Sequence, residues 1–249
     1  MDLKETGNSQ ELKESVDALL SEYSLLFSAL SENPKTYKKA ALLFYWLRDY
    51  KNFIKNETAF SPNYCPDFPR GSIVNLNLGF NLGSELGGLH YGIVLQRSRR
   101  NNPNLIIAPM TSVKDAKDTA HLPPYKVFLG EELYFKIQGK YEGLKVSIPS
   151  EIEILGSAIE NAKSEEDKIR ISVKIKDLVN KIDTLQKTRN KLTKLKHGSI
   201  VAIDQIRSVS KMRLIDPTNK YDILYGLKLS NASMDAIDKH IIETLTKCP

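Results

Sequence analysis

The sequence predicts an α+β fold in which a small β-barrel carries helical additions. Three features lead to this prediction: short β-patterned runs between Arg70 and Ser112, an amphipathic helical pattern before them, and a long helical stripe after them. We expect an N-terminal helical extension at residues 1–60. A barrel domain follows at residues 61–249, with a helical insertion at about 158–196.

The β-patterned runs surround a glycine-rich loop. Ile73, Leu76 and Leu78 lie among polar neighbours, as in a partly buried strand, whereas GIVL and LIIAPM are continuous apolar runs typical of strands near the centre of a barrel. Between the first two runs lies GSELGGLH, residues 83–90. Its three glycines allow positive φ angles and a close approach of backbone to ligand. Such a loop on a rigid β scaffold is a common place for chemistry.

Before the barrel, residues 9–57 predict a helical hairpin. Apolar side chains recur at intervals of three and four until Asn33-Pro34 interrupts the pattern, and a second apolar run from Ala40 holds the single tryptophan, Trp46. Two such helices joined by a short turn form a hairpin. This hairpin either covers the barrel or offers a surface for a partner.

The region after the barrel runs holds the expected insertion. Leu144–Ile148 and Glu151–Leu155 are candidate strands, and residues 158–196 predict one or two helices. The helical stripe has the 4-3-4-3 spacing of a coiled coil or helical hairpin, at Ile171, Ile175, Leu178, Ile182 and Leu185. Between Lys163 and Lys196 there are eleven basic and five acidic residues, which form either a solvated face or a contact with an RNA backbone. A final helix is expected at Ala232–Lys247.

Composition and the absence of several motifs indicate which classes of function the sequence favours. The net charge of +6 favours an anionic partner, with RNA the obvious candidate. No apolar run is long enough for a membrane span, and the N-terminus lacks a secretory pattern. Two distant cysteines, Cys65 and Cys248, predict neither a disulfide framework nor a metal site, so we expect a reduced, cytoplasmic protein. No metal-ligand, P-loop or dinucleotide motif is present, and no cofactor is expected. Three histidines fit no catalytic arrangement: His121, His197 and His240.

Two blocks of the sequence resemble the PemK/MazF family of toxin endoribonucleases. Residues 70–112 follow the order of the family's R-G-D/E strand, its G-S-E-Q-G-G-x-R-P-V-L-V loop and strand, and its strand ending in P-x-T-S. Residues 198–214, GSIVAIDQIRSVSKMRL, are similar to the later family segment S-V-x-L-x-Q-I-R-T-x-D-K-x-R-L. The rest of the chain is outside this resemblance.

The resemblance implies a fold and an activity. The fold would be a small SH3-like β-barrel, with Tyr125–Leu129 as a further strand. The activity would be metal-independent cleavage of single-stranded RNA by 2′-hydroxyl attack, within a toxin–antitoxin or phage-defence module. The family also implies a homodimer with an RNA groove along its interface, and a cognate antitoxin protein. The N-terminal hairpin would then be a barrel cap, an oligomer or antitoxin surface, or a built-in inhibitor.

The family's catalytic positions are only partly kept. Thr111 matches the family threonine, but the family arginine is His90 and the following proline is Tyr91. Either activity is lost, or His90 acts as acid and base, because histidine titrates near physiological pH. Glu85 would orient His90 or hold the loop. Arg207 would supply the missing positive charge or pair with a carboxylate.

Further residues are candidates for RNA binding. They are Ser84, Ser112, Gln205, Arg97, Arg99 and Arg100. In the alternative interpretation Ser84 stabilises a turn, Thr111 and Ser112 cap the end of a strand, and the arginines form a solvated hairpin tip. A non-catalytic module that holds RNA or a protein is the rival interpretation, since a fold does not determine a function.

Overall fold

The computed structural model describes residues 5–114, 119–196 and 198–246. Two residues considered above, His197 and Cys248, lie outside these ranges. The chain divides into two units, Met1–Thr58 and Ala59–Pro249. Among the described residues, no helix is both long enough and apolar enough to cross a membrane.

The first unit is a pair of helices, α1 (Ser9–Glu32) and α2 (Tyr37–Asn56). Helix α1 ends where Asn33 adopts an extended conformation, as expected for the residue before a proline. The Thr36 hydroxyl donates a hydrogen bond of 2.8 Å to the Leu30 carbonyl across the turn. Both predicted helices are therefore present.

The second unit contains a seven-stranded antiparallel sheet. Its strands are β1 (Ile73–Asn77), β2 (Leu89–Val94), β3 (Asn104–Ser112), β4 (Lys126–Phe128), β5 (Ser199–Ala202), β6 (Arg207–Ser210) and β7 (Leu214–Asp216). The order is β4-β5-β3-β2-β1-β7, and β6 also pairs with β3. The strand expected at Tyr125–Leu129 is confirmed as β4, which pairs with β5.

The α+β class is confirmed, but the sheet is open in the described part of the chain. The outer edge of β3 is divided between two short strands: β6 pairs with its first half and β5 with its second half. The path ends in two three-residue strands, β4 and β7, which do not pair with each other. A continuous hydrogen-bonded barrel is therefore not formed.

Two cores lie on opposite faces of the sheet. The first contains Ile93 and Met110 and is covered by α3 (Glu132–Glu160) and α5 (Asn231–Ile241). The second contains Leu76 and Ile107, with Phe68 from the segment before β1. The first strand was expected to be partly buried. Instead Ile73, Val74, Leu76 and Leu78 are all at most 3% exposed, because each face of β1 meets its own core.

The helical insertion begins earlier than predicted. The candidate strands Leu144–Ile148 and Glu151–Leu155 are wrong: both lie inside α3. There Leu144, Ile148 and Leu155 pack against α4 (Glu165–Leu192), which makes the pair a helical hairpin. The predicted stripe of α4 faces α3 through Ile171, Leu178, Ile182 and Leu185. Ile175 departs from the stripe and is 42% exposed.

Helix α5 closes the first core. It occupies most of the segment predicted as a C-terminal helix, and its Ser230 side chain caps the first turn by accepting from the Ser233 N–H. Met234 and Ile237 are buried against the sheet.

Candidate nucleic-acid site at the glycine-rich loop

The glycine-rich loop connects β1 to β2 and is fixed by its own polar groups. At its base, the Gly79 N–H donates to the buried Asn77 Oδ1 at 3.0 Å, and the Gly88 N–H donates to the Gly79 carbonyl at 2.6 Å. Across the loop, Asn81 Nδ2 donates to the Leu86 carbonyl at 2.6 Å. These bonds hold the two sides of the loop together, so its tip is a preformed feature of the surface.

Gly87 is required by close packing of backbone on backbone. A Cβ at this position would lie 2.7 Å from the Gly79 carbonyl oxygen, too close for any side chain. Gly83 and Gly88 have different roles, since they take φ angles of +57° and +79° in open surroundings. The loop therefore uses its glycines both for conformation and for close approach.

His90 is the last residue of this loop and the second residue of β2. Its Nδ1 lies 2.8 Å from the Met110 carbonyl oxygen on the neighbouring strand β3. Because a carbonyl only accepts hydrogen bonds, Nδ1 must carry the proton, and the lone pair of a neutral ring is then on Nε2. The imidazole is half-buried, so a backbone carbonyl orients a ring that keeps one nitrogen for proton transfer.

Three candidate residues share one face of the sheet. Side chains alternate along a strand, so residues separated by an even number of positions point to the same side. On each of three strands, a residue of the second core lies an even number of positions from a candidate residue. These pairs are Val94 with His90, Ile107 with Thr111, and Val209 with Arg207. His90, Thr111 and Arg207 therefore face the same side, where Leu86 of the loop also packs.

The pairing of the strands sets how far apart these residues are. Tyr91 is opposite Met110, so the next step of the register places His90 beside Thr111. Arg207 is opposite Ile107, about 13 Å from Thr111 along β3 at the usual rise of a strand. A ligand that contacted all three residues would be extended rather than a single small ion.

Gln205 joins Arg207 to the loop. Its Oε1 accepts from the Leu86 N–H at 3.2 Å and from Arg207 Nη2 at 2.9 Å, and its carbonyl accepts from Arg207 Nε at 3.3 Å. Two of the five guanidinium N–H groups are used in this way, which orients the guanidinium and leaves others for a ligand. Gln205 therefore positions the loop and Arg207, and its expected contact with RNA stays a prediction.

The remaining candidates near His90 are exposed. Ser84 and Glu85 form the tip of the loop, and Ser112 ends β3. Glu85 was expected to orient His90 or to hold the loop. Within the described residues its side chain makes no hydrogen bond, and Asn77, Asn81 and Gln205 hold the loop instead.

The arginine turn lies away from this site. Arg97, Arg99 and Arg100 are exposed in the connection between β2 and β3, at the end of β2 opposite to His90. The part of β2 from His90 to Val94 alone spans about 13 Å, and Arg97 lies beyond it. The structure therefore does not bring these arginines together with His90.

A buried lysine beneath the arginine turn was not anticipated. Lys211 is 1% exposed, and its Nζ donates to the Arg99 carbonyl at 2.7 Å. It also lies 5.5 Å from the ring centroid of Phe68. Burial lowers the pKa of Lys211. A lysine within KMRL resembles an ordinary exposed cation, and no local pattern reveals that it anchors a turn more than a hundred residues away.

Part of the basic insertion serves to dock α4. Lys191 forms a salt bridge of 3.2 Å with Asp216, and its Nζ lies 5.0 Å from the Tyr91 ring centroid. Burial raises the pKa of the Tyr91 phenol, while the nearby lysine acts in the opposite direction. Tyr91 therefore contacts the inserted helix through Lys191. Lys187 is likewise paired, with Asp183 at 2.6 Å.

The other described histidines lie elsewhere. His121 is exposed, and His240 in α5 has its Nδ1 2.9 Å from the Ala236 carbonyl oxygen. Within the described ranges, no three His, Cys, Asp or Glu side chains form a group that could hold a metal ion.

Comparison of the chain with models of protein families finds no match, and comparison with characterised proteins finds no significant similarity.

Proposed function

We propose that the chain is a PemK/MazF-like endoribonuclease that cleaves single-stranded RNA without a metal ion. One observation carries this proposal: a carbonyl-oriented His90 stands beside Thr111, on the sheet face that also carries Arg207 and Leu86 of the glycine-rich loop. This arrangement supplies an acid–base group, a hydroxyl and a fixed positive charge at one surface.

The chain path supports an SH3-like arrangement of the strands. Strands β1, β2, β3 and β6 are successive neighbours, a short 3-10 turn at Lys211–Arg213 follows β6, and β7 then returns to pair with β1. In this arrangement β6 and β7 are joined by the chain itself and not by hydrogen bonds between strands. That connection completes the ring of strands around the second core.

The proposed reaction needs one proton acceptor and one proton donor. Nε2 of His90 takes the proton of the 2′-hydroxyl as that oxygen bonds to the adjacent phosphorus. The resulting imidazolium then protonates the leaving 5′-oxygen as the P–O5′ bond breaks. The products are a 2′,3′-cyclic phosphate and a free 5′-hydroxyl, and His90 returns to its starting state.

The other groups bind the phosphates. The Thr111 hydroxyl beside His90 donates to an oxygen of the phosphorane, where developing charge makes hydrogen bonds most effective. Arg207 holds the RNA strand through guanidinium donors that Gln205 leaves available. The exposed Ser84 and Ser112 lie where the strand would enter and leave.

The net charge of +6 is consistent with this substrate. The setting we propose is a cytoplasmic toxin–antitoxin or phage-defence module, with an antitoxin protein and a second copy of the chain as partners. This setting follows from the family resemblance.

A non-catalytic RNA-binding module is the second candidate. It is favoured by one observation: the Glu85 side chain makes no hydrogen bond to His90 within the described residues, so no carboxylate supports the imidazole. The same surface would then hold RNA without cutting it.

Incubation with a long single-stranded RNA in EDTA distinguishes the two candidates. The nuclease should leave cyclic-phosphate and 5′-hydroxyl ends, and should leave a fully 2′-O-methylated RNA of the same sequence intact, because the attacking hydroxyl is blocked. Binding of both RNAs without cleavage would replace the nuclease with the binding module. Cleavage of both RNAs would refute the 2′-hydroxyl mechanism.

A further inference from the structure

The N-terminal hairpin, residues 9–56, carries far more apolar surface than it buries. Ala40 is the one buried residue in α1 and α2. Every residue from Ser9 to Glu22 is exposed. An isolated helix of this length is marginal in water, so the first half of α1 needs a packing partner.

The open surface of α1 has the pattern of a helix–helix interface. Its apolar residues repeat with 4-3-4-3-4 spacing, at Leu12, Val16, Leu19, Tyr23, Leu26 and Leu30. Within α1 and α2, twelve large hydrophobic side chains are each at least 42% exposed. Half-exposed side chains in this number leave on the order of 1,000 Å² of apolar surface, comparable with the ~800 Å² per partner of a stable interface.

The two helices carry opposite charge. Helix α1 has five acidic residues and one lysine, whereas α2 has five basic residues and one aspartate. Among residues 5–58, the described salt bridge joins the neighbours Arg48 and Asp49 in α2, and none joins α1 to α2. The acidic α1 of one copy thus complements the basic α2 of another copy.

We propose that the hairpin at residues 9–56 is a dimerisation element. Two copies of the chain pack α1 of one copy against α2 of the other and form an antiparallel four-helix bundle. A two-fold arrangement uses each acidic–basic pairing twice, which is the self-complementarity that an isologous interface requires. This interface is separate from any dimer formed by the sheet, and it does not depend on the proposed nuclease activity.

Charge reversal in the full-length chain provides the test. One variant gives both helices a net positive charge (Glu11→Lys, Asp17→Lys, Glu22→Lys), and another gives both a net negative charge (Lys38→Glu, Lys51→Glu, Lys55→Glu). Each variant alone should lose self-association through the hairpin, because like charges then face each other. An equimolar mixture should regain it. A control variant makes the same net charge change as the acidic variant, but on α4 (Arg170→Glu, Lys174→Glu, Lys176→Glu), and should associate as the wild type does.

The readout is local to the hairpin. Hydrogen exchange of residues 9–56 and the emission of Trp46, the single tryptophan, report on this segment even if the rest of the chain also dimerises. In the wild type, both should change with protein concentration, alongside the sedimentation coefficient. In the mixture, protection should return to the wild-type level.

Two results would overturn the proposal. If protection of residues 9–56 is independent of concentration and of the charge reversals, the hairpin folds back on its own chain. If each charge-reversed variant associates as well as the mixture does, the pairing of α1 with α2 between copies is wrong.

Discussion

Replacing His90 separates its proposed chemistry from its structural contact. In His90→Ala, both the acid–base nitrogen Nε2 and the hydrogen bond from Nδ1 to the Met110 carbonyl are lost. In His90→Asn, the side-chain amide can donate to the same carbonyl, so only the acid–base group is lost. His240→Ala is the matched control, because His240 is also half-buried and also has Nδ1 beside a backbone carbonyl, at 2.9 Å.

The expected magnitudes follow from these contacts. Loss of one partly buried hydrogen bond should lower the free energy of unfolding by about 1 kcal/mol in both His90→Ala and His240→Ala. His90→Asn should recover most of that stability. Loss of general acid–base catalysis should slow cleavage by roughly 10²- to 10⁴-fold in both His90 variants. His240→Ala should cleave at the wild-type rate.

Single-turnover cleavage of a labelled single-stranded RNA measures the rates, and denaturant unfolding measures the stabilities. The mechanism would be refuted if His90→Asn cleaved at a rate near that of the wild type. It would also be refuted if His240→Ala lost as much activity as His90→Ala, since activity would then follow stability rather than proton transfer.

Three further perturbations test the surroundings of the site and the helical insertion. Gly87→Ala should lower the free energy of unfolding by about 1–3 kcal/mol, because its Cβ would lie 2.7 Å from the Gly79 carbonyl oxygen. Gly143→Ala is the control: this glycine is in open space within α3, so the change should raise the free energy of unfolding by up to about 1 kcal/mol. Gln205→Leu releases both the loop and Arg207 and should slow cleavage by up to about 10²-fold with overall stability less affected, as kinetics and thermal unfolding would show. Hydrogen bonds from Tyr221, Lys220 and Lys181 hold the pKa of Asp177 far below its usual range. Its contribution to stability is therefore fully present above the ordinary aspartate pKa and is lost as the pH falls through the lowered pKa, so Asp177→Asn should reduce the acid sensitivity of unfolding.

The strands and several helices could be predicted from local pattern. GIVL is buried on both faces, and LIIAPM is buried except at Ile106, so both are continuous apolar runs in the sequence. Met234 and Ile237 face the sheet with helical spacing. The apolar pattern that marks these elements in the sequence is the same pattern that is buried in the folded chain.

The insertion could not be predicted in the same way. Leu144, Val146 and Ile148 alternate like a strand, and so do Ile152 and Ile154. In α3 the alternation has no structural meaning, because Val146, Ile152 and Ile154 are at least 50% exposed. Which of these residues is buried depends on α4, a partner that lies farther along the chain.

The candidate site could be proposed from the sequence as a set of residues but not as an arrangement. Sequence blocks suggested His90, Thr111 and Arg207, and the pairing of β2 with β3 places the first two beside each other. The contact of Gln205 with Leu86 joins residues 119 positions apart, and the burial of Lys211 depends on an equally distant turn. Local patterns carry no information about such contacts.

Nitrogen NMR of the His90 ring with an uncleavable RNA tests whether His90 is the acid–base group at an RNA site. We expect neutral His90 to be the Nδ1–H tautomer, and we expect a single-stranded 2′-O-methyl RNA to shift its Nε2 resonance while the resonances of His240 stay unchanged. An Nε2–H tautomer, or an RNA that binds without changing His90, would contradict it.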